Sequence, residues 1–209
     1  MKTLRHTLLI GNAPAGPSAW LKQLAKTADS IVAADGGADT ALRAGIVPDV
    51  VIGDLDSVSP RTRKKLASSQ WIFVDNQNNT DLQKALDYLV TQKCKKCTLV
   101  GFEGGRPDFT LGNLLALYPY TRKMELRVVG HGWQIFPIAR TKTFTARPGA
   151  RVSLLPLSTC SGVTLTGLKF PLKNARLSLG TTRTLSNQAV KKRFTVQLTS
   201  GVMLVYIED

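Results

Sequence analysis

Two short stretches, Asp35-Gly36-Gly37-Ala38-Asp39 and Gly53-Asp54-Leu55-Asp56-Ser57, concentrate acidic side chains directly after the apolar runs Ile31 to Ala34 and Val50 to Ile52. Asp and Gly mark turns on their own account, but two successive strand ends that both deliver carboxylates point to chemistry as well. Gly36 and Gly37 let backbone amides approach a ligand that a Cβ would exclude. If the second stretch leaves its strand extended, Asp54 and Asp56 project to one side with Cα atoms roughly 7 Å apart, and Leu55 to the other. Adjacent carboxylates repel and raise at least one pKa unless a cation or hydrogen bonds stabilise the charged forms. Such a pair suits Mg²⁺, which takes oxygen ligands and often completes its shell with phosphate oxygens.

A third acid, Asp81, opens the helical pattern Leu82, Ala85, Leu86, Leu89 and Val90, with Thr80 or Asn79 as its N-cap. The helix dipole alone would explain Asp81; it also stands at a third strand-to-helix junction. Gly101-Phe102-Glu103-Gly104-Gly105-Arg106-Pro107-Asp108 follows the run Thr98 to Val100. Glycines beside an arginine suit an anion, because the backbone comes close and a guanidinium binds phosphate through two parallel hydrogen bonds. Gly11 to Ser18 has the spacing of a phosphate-binding P-loop, but Pro17 occupies the position of its lysine, so that motif is rejected.

The elements that must position these groups are legible in order. Buried runs at Thr7 to Ile10, Ile31 to Ala34, Val50 to Ile52, Trp71 to Val74, Thr98 to Val100 and Leu126 to Val129 alternate with helical patterns. One helical face carries Trp20, Leu21, Leu24, Ala25 and Ala28, and another Leu111, Leu114, Leu115 and Tyr118. This alternation predicts an α/β fold, a Rossmann-like parallel sheet with helices on both faces. After His131-Gly132-Trp133 no helical period survives. Short runs such as Arg151 to Leu155, Arg193 to Leu198 and Val202 to Ile207 predict a smaller antiparallel β-sandwich. The expected domains are residues 1–125 and 133–209.

The 209 residues carry a net charge of +14, and 43% of them are hydrophobic. Up to residue 125, 16 Lys+Arg stand against 12 Asp+Glu; from 126 onward the figures are 12 against 2, both acids being Glu208 and Asp209. In the part from residue 126 the cations are scattered singly except Lys191-Lys192-Arg193 and few aromatics accompany them, which favours a general anion-attracting field over a nucleic-acid groove. No apolar run has the length of a membrane span or a signal-peptide core, so a cytoplasmic location is expected. Three cysteines form no disulfide framework. Cys94-Lys95-Lys96-Cys97 has metal-like spacing without a second pair, and reads as free thiols leading into a buried strand.

Asp35-Gly36-Gly37-Ala38, Pro48-Asp49 and Gly53-Asp54-Leu55-Asp56-Ser57 resemble the signature of the thiamin pyrophosphokinases, which transfer a diphosphate from ATP to thiamin. The resemblance extends through Thr80-Asp81-Leu82-Gln83-Lys84-Ala85-Leu86, Gly104-Gly105-Arg106-Pro107-Asp108 with Asn113-Leu114, Gly167 to Leu172, Gly180 and Ser186-Asn187. It implies a Rossmann-like catalytic domain for ATP, a β-sandwich for thiamin, and a homodimer with thiamin sites between subunits. Asp54, Asp56 and Asp81 would hold Mg²⁺ against the ATP phosphates. Asp35, Gly36, Gly37, Ser57, Gln77 and Thr80 would line the nucleotide, and Arg106 would neutralise the transferred group. Asp108 would polarise the thiamin hydroxyl. Phe170 would meet cationic thiamin through its π-face, and Ser186 and Asn187 would contact its pyrimidine.

Asn78, Asp39, Phe109 and Pro107 depart from the family pattern; Asn78 stands where an acid often precedes the Thr-Asp pair. The alternatives are a related pyrophosphokinase acting on a pterin alcohol, a catalytically weak thiamin-binding relative, and a basic nucleic-acid-binding module whose binding would be steeply salt-dependent.

Overall fold

Strands covered on both faces carry apolar residues without polar alternation, and the apolar runs of the first half form such a layer. In the computed structural model, which describes residues 4–209, these runs are β1 (His6–Ile10), β2 (Ser30–Ala34), β3 (Val50–Gly53), β4 (Gln70–Phe73), β5 (Lys96–Val100) and β6 (Glu125–Gly130). They lie in the order β6-β5-β1-β2-β3-β4, every pairing parallel. The chain steps outward from β1 to β4, then returns to β5 on the other flank of β1. The exits of β1 and β5 therefore diverge, and ligand crevices form at such a point.

The helices are α1 (Ser18–Lys26), α2 (Gly37–Arg43), α3 (Pro60–Lys65), α4 (Asp81–Thr91) and α5 (Pro107–Ala116). Leu8 and Ile10 of β1 pack with Leu21 of α1 and Ala41 of α2. Ala33 and Val51 pack with Ala38 of α2 and Leu66 after α3. The alternate residues Leu9 and Val32 point the other way, and α4 lies on β2 and β3 with Leu82, Leu86 and Leu89 buried. Each of those leucines contributes roughly 1.5–3 kcal/mol, and together they fix where the polar residues of α4 fall. The start of α4 is set by a capping box: Thr80 Oγ1 accepts from Gln83 N–H at 3.4 Å and Gln83 Oε1 accepts from Thr80 N–H at 3.3 Å.

α5 behaves differently. The sequence pattern put Leu111, Leu114, Leu115 and Tyr118 on one helical face, as if for burial. The helix instead stops at Ala116, Tyr118 opens a 3-10 turn, and Leu111, Leu115 and Tyr118 are exposed; no residue of α5 is buried.

The second half contains β7 (Trp133–Ile138), β8 (Lys142–Thr145), β9 (Arg151–Pro156), β10 (Cys160–Thr166), β11 (Leu172–Leu177), β12 (Asn187–Gln188), β13 (Arg193–Gln197) and β14 (Met203–Glu208). Two antiparallel layers, β12-β9-β14-β7 and β11-β10-β13-β8, close on one core. Val152, Leu154, Val205 and Ile207 come from the first layer and Val163, Leu165, Phe194 and Val196 from the second. These residues alternate along their strands, as a sandwich requires.

The chain divides into two units. One ends at Ala116 and takes back Lys123–His131; the other holds Leu117–Arg122 and Gly132–Asp209. A division at 1–125 and 133–209 would cut into β6, whose residues run beside β5 from Glu125 onward. No helix among the described residues is long and apolar enough to cross a membrane. Cys94, Cys97 and Cys160 are free and buried.

Candidate active site

The exits of β1 to β5 line one cavity of about 520 Å³. Its acidic floor is set by backbone geometry. Asp35 leaves β2 with φ +44°, a left-handed conformation that costs a residue with a Cβ. The surroundings enforce it: Asp35 N–H donates to Ile52 O at 2.8 Å and its carbonyl accepts from Ala38 N–H at 3.0 Å. The side chain is 4% exposed, and its Oδ1 is buried without a hydrogen-bond partner.

Gly53 ends β3 at φ +155°, and a Cβ there would lie 2.9 Å from Asp35 Cβ and 3.2 Å from Asp81 Oδ1. Glycine at this position is what lets the carboxylates converge. Asp35, Asp54 and Asp81 each bring one oxygen to within 4.8 Å of the others. Lys84, one turn into α4 and 5% exposed, closes the cluster: its Nζ donates to Asp54 Oδ2 at 2.7 Å and to Asp81 Oδ1 at 3.0 Å.

These contacts pull the ionisations apart. Hydrogen bonding from Lys84 holds the Asp54 carboxyl below its usual range. Burial raises Asp81, the charges of Asp35 and Asp54 adding to the effect and Lys84 opposing it. Burial works against the Lys84 ammonium, yet its bonds to the two aspartates outweigh that and raise its pKa.

Three carboxylates and one ammonium leave a formal charge of −2 in a half-buried site. Hard oxygen donors, an orphaned Asp35 oxygen and that residual charge fit a divalent cation such as Mg²⁺. Asp56 stands outside the cluster. Leu55 has φ +64°, so the loop turns left-handed between the two aspartates and the extended alternation expected of them fails. Asp56 is exposed and accepts from Ser57 Oγ at 2.9 Å; the third carboxylate of the cluster is Asp35.

Gly36, Ser57, Gln77 and Thr80 line the cavity, as does Arg106 at its rim. Gly37 does not. Its missing Cβ would lie 2.1 Å from Ile10 O, so this glycine serves the packing of α2 against the end of β1. Arg106 Nε and Nη2 donate to Asp108 at 3.2 and 2.6 Å, and the guanidinium lies 4.5 Å over the Phe109 ring. Asp108 lies off the cavity, and the hydrogen bonds from Arg106 lower its pKa.

The departures from the family pattern have local explanations. Asp39 accepts from Ser59 N–H, Ser59 Oγ and Thr62 Oγ1 and ties α2 to the start of α3. Asn78 is exposed in the loop before α4 and does not line the cavity. Pro107 takes the first helical position of α5, where a missing N–H costs nothing.

Sequence reasoning passed over Lys84, because a lysine between Gln83 and Ala85 reads as solvated. Its signal was the three-residue offset from Asp81, which puts both on one helical face. It also missed Asn113, whose Nδ2 donates to Phe102 O at 2.8 Å and holds the loop that carries Arg106.

In the second unit Phe170, Ser186 and Asn187 share a separate cavity of about 300 Å³ with Arg151, Lys169 and Glu208. The Phe170 ring is 60% exposed, whereas Asn187 is 3% exposed.

Comparison with known proteins finds relatives for both units. Residues 21–129 match the family description "Thiamin pyrophosphokinase, catalytic domain", and residues 141–203 match "Thiamin pyrophosphokinase, vitamin B1 binding domain". Thiamine pyrophosphokinase of Bacillus subtilis is 29% identical over 181 residues, covering 83% of this chain and 85% of that relative. Thiamine pyrophosphokinase 3 of Oryza sativa is 30% identical over 176 residues, 76% of this chain and 65% of its own length. The crystal structure of the Bacillus subtilis protein superposes with a TM-score of 0.85 at 25% identity, covering 98% of this chain and 99% of that one. That of the thiamin pyrophosphokinase from Candida albicans gives 0.86 at 19% identity, covering 99% of this chain and 90% of that one, which shows the shared fold.

Proposed function

The chain belongs to the thiamin pyrophosphokinase family, and on that premise we propose that it transfers the diphosphate of ATP to the hydroxyl of thiamin, giving thiamin diphosphate and AMP. The observation that carries this reading is the meeting of Asp35, Asp54, Asp81 and Lys84 at the carboxyl ends of parallel strands, inside a cavity large enough for a nucleotide. The match of residues 141–203 to a vitamin B1 binding domain favours thiamin over a pterin alcohol.

The chemistry asks the protein mainly for positioning and charge. The thiamin hydroxyl oxygen bonds to the β-phosphorus of ATP and gives up its proton to solvent, the bond from that phosphorus to the α–β bridging oxygen breaks, and AMP leaves with the bridging oxygen. Asp35, Asp54 and Asp81 would hold Mg²⁺, which when bound supplies neutralisation of the triphosphate. Lys84 fixes Asp54 and Asp81 in place and keeps one positive charge at the cavity floor. Arg106 exchanges the Asp108 carboxylate for phosphate oxygens, since the same planar fork of donors serves both. Gly36, Ser57, Gln77 and Thr80 line the nucleotide. In the second unit the exposed face of Phe170 meets the thiamin cation, with Ser186 at its side.

A homodimer belongs to the same proposal. Each unit carries exposed apolar side chains that a monomer would leave in water: Phe109, Leu111 and Leu115 on α5, and Leu179, Leu185 and Val190 in the second unit. A reducing, cytoplasmic location suits three buried free thiols.

The test is incubation of purified protein with ATP, Mg²⁺ and thiamin, with the products identified. AMP and thiamin diphosphate are expected; ADP, or no turnover, overturns the reading.

A further inference from the structure

Asn187 spends its amide on the chain around it. Its Oδ1 accepts from Phe170 N–H at 3.0 Å and from Gln188 N–H at 2.8 Å, and its Nδ2 donates to Phe170 O at 2.8 Å. Both lone pairs of the oxygen are therefore used, and of the amide's four hydrogen bonds only one N–H stays uncommitted. At 3% exposure the group has almost no surface to offer a ligand.

The bonds to Phe170 have a definite structural role. Residues 167–169 run antiparallel to 188–190: Lys169 N–H donates to Gln188 O at 2.8 Å, Val190 N–H donates to Gly167 O at 3.0 Å, and Leu168 pairs with Ala189. At Phe170 this backbone pairing stops. The backbone of Asn187 is engaged elsewhere, paired with Val152 of β9, and Ser186, with φ +56°, turns the chain away. The Asn187 side chain then supplies Phe170 with both bonds, donor and acceptor, that a neighbouring strand would have given. The result is an aromatic residue with a fixed backbone and a ring 60% in solvent.

We infer that Asn187 is a positioning residue, one that sets the aromatic wall at Phe170 for the flat cationic substrate and makes no contact with that substrate itself. The inference rests on the thiamin reading above and assigns Asn187 a role different from contact with the pyrimidine.

A double-mutant cycle tests it. Phe170→Ala, at an exposed position, is expected to raise the KM for thiamin about tenfold through loss of the cation–π contact. Asn187→Ala should raise it to a similar extent, with kcat and the KM for ATP unchanged. Asn187→Asp, which keeps the oxygen that accepts from Phe170 N–H but sets an oxygen against Phe170 O, should show the same split. If Asn187 acts through Phe170, then Asn187→Ala in the Phe170→Ala background adds less than about twofold.

Effects that multiply to about a hundredfold show direct contact and overturn the inference. A loss of kcat equal to the rise in KM overturns it too, as does failure of both Asn187 variants to fold, which would make Asn187 a core residue only. A wild-type protein whose rate does not respond to thiamin overturns the functional reading itself, whatever the cycle shows.

Discussion

In the first unit the side chains of the site arrive from separate strand ends and meet around a buried ammonium, whereas in the second a single amide holds one exposed ring in position. The first arrangement is charged and partly unsatisfied, and its backbone sits in conformations that cost energy at Asp35 and Leu55. The second turns on a neutral amide that is nearly saturated. The contrast teaches where each substrate's recognition resides. On the proposed reading a polyphosphate is met through a cation that the converging carboxylates would hold, and a flat ring is met by a surface that needs only to be stiff. Variants in the first unit should therefore change the chemical step, and variants in the second should change occupancy.

The largest expected effect is that of Asp54→Asn. It should lower kcat by about 10³-fold or more, as loss of an electrostatic group at the reacting centre does, while circular dichroism shows a folded protein and the KM for thiamin holds. A kcat within tenfold of wild type would erase the distinction between the units.

Lys84→Met comes next, with a loss of about 10²-fold in kcat. It leaves three carboxylates with no internal cation, so Mg²⁺ should raise the Tm of the variant more than that of wild type. Equal shifts would show that the ammonium does not hold the acids together.

Gly53→Ala should destabilise by about 1–3 kcal/mol in chemical denaturation, since it combines an unfavourable φ with a Cβ pressed on Asp35. A neutral result would mean that the carboxylates can part without cost.

The smallest effect concerns the loop that carries Arg106. Burial pushes the Glu103 carboxyl up to about 7, against the pull of the N–H groups of Phe102 and Glu103 itself. The folded protein then keeps a proton that the unfolded chain has already released, so stability is full below the ordinary carboxylate range and falls as pH rises through about 7. Glu103→Gln should flatten this slope and stabilise the protein above pH 7 by roughly 1–2 kcal/mol. An unchanged slope would place the titration elsewhere.

Both folds could be read from pattern alone, because strand buried on two faces, amphipathic helix and alternating strand leave different periodicities. The site was legible to the extent that its residues sit in local motifs. Asp54, Asp81 and Arg106 stand at strand-to-helix junctions and announce themselves. The choice of Asp35 over Asp56 was not legible, since it depends on one left-handed residue, Leu55, whose type gives no hint of φ +64°. Lys84 was hidden by the reverse problem: its burial is imposed by Asp54, thirty residues earlier in the chain. The outward face of α5 was also misread, because an apolar stripe looks the same in sequence whether it packs inside its own unit or not.

Because Lys84 already sits between Asp54 and Asp81, the polypeptide carries a resident counter-ion. Treatment with a strong chelator should thus strip the site without unfolding the chain, unlike the many small proteins whose metal is part of their folding energy. On the proposed reading the carboxylates are held in place before any inorganic ion arrives, so the ion would be free to enter together with the nucleotide.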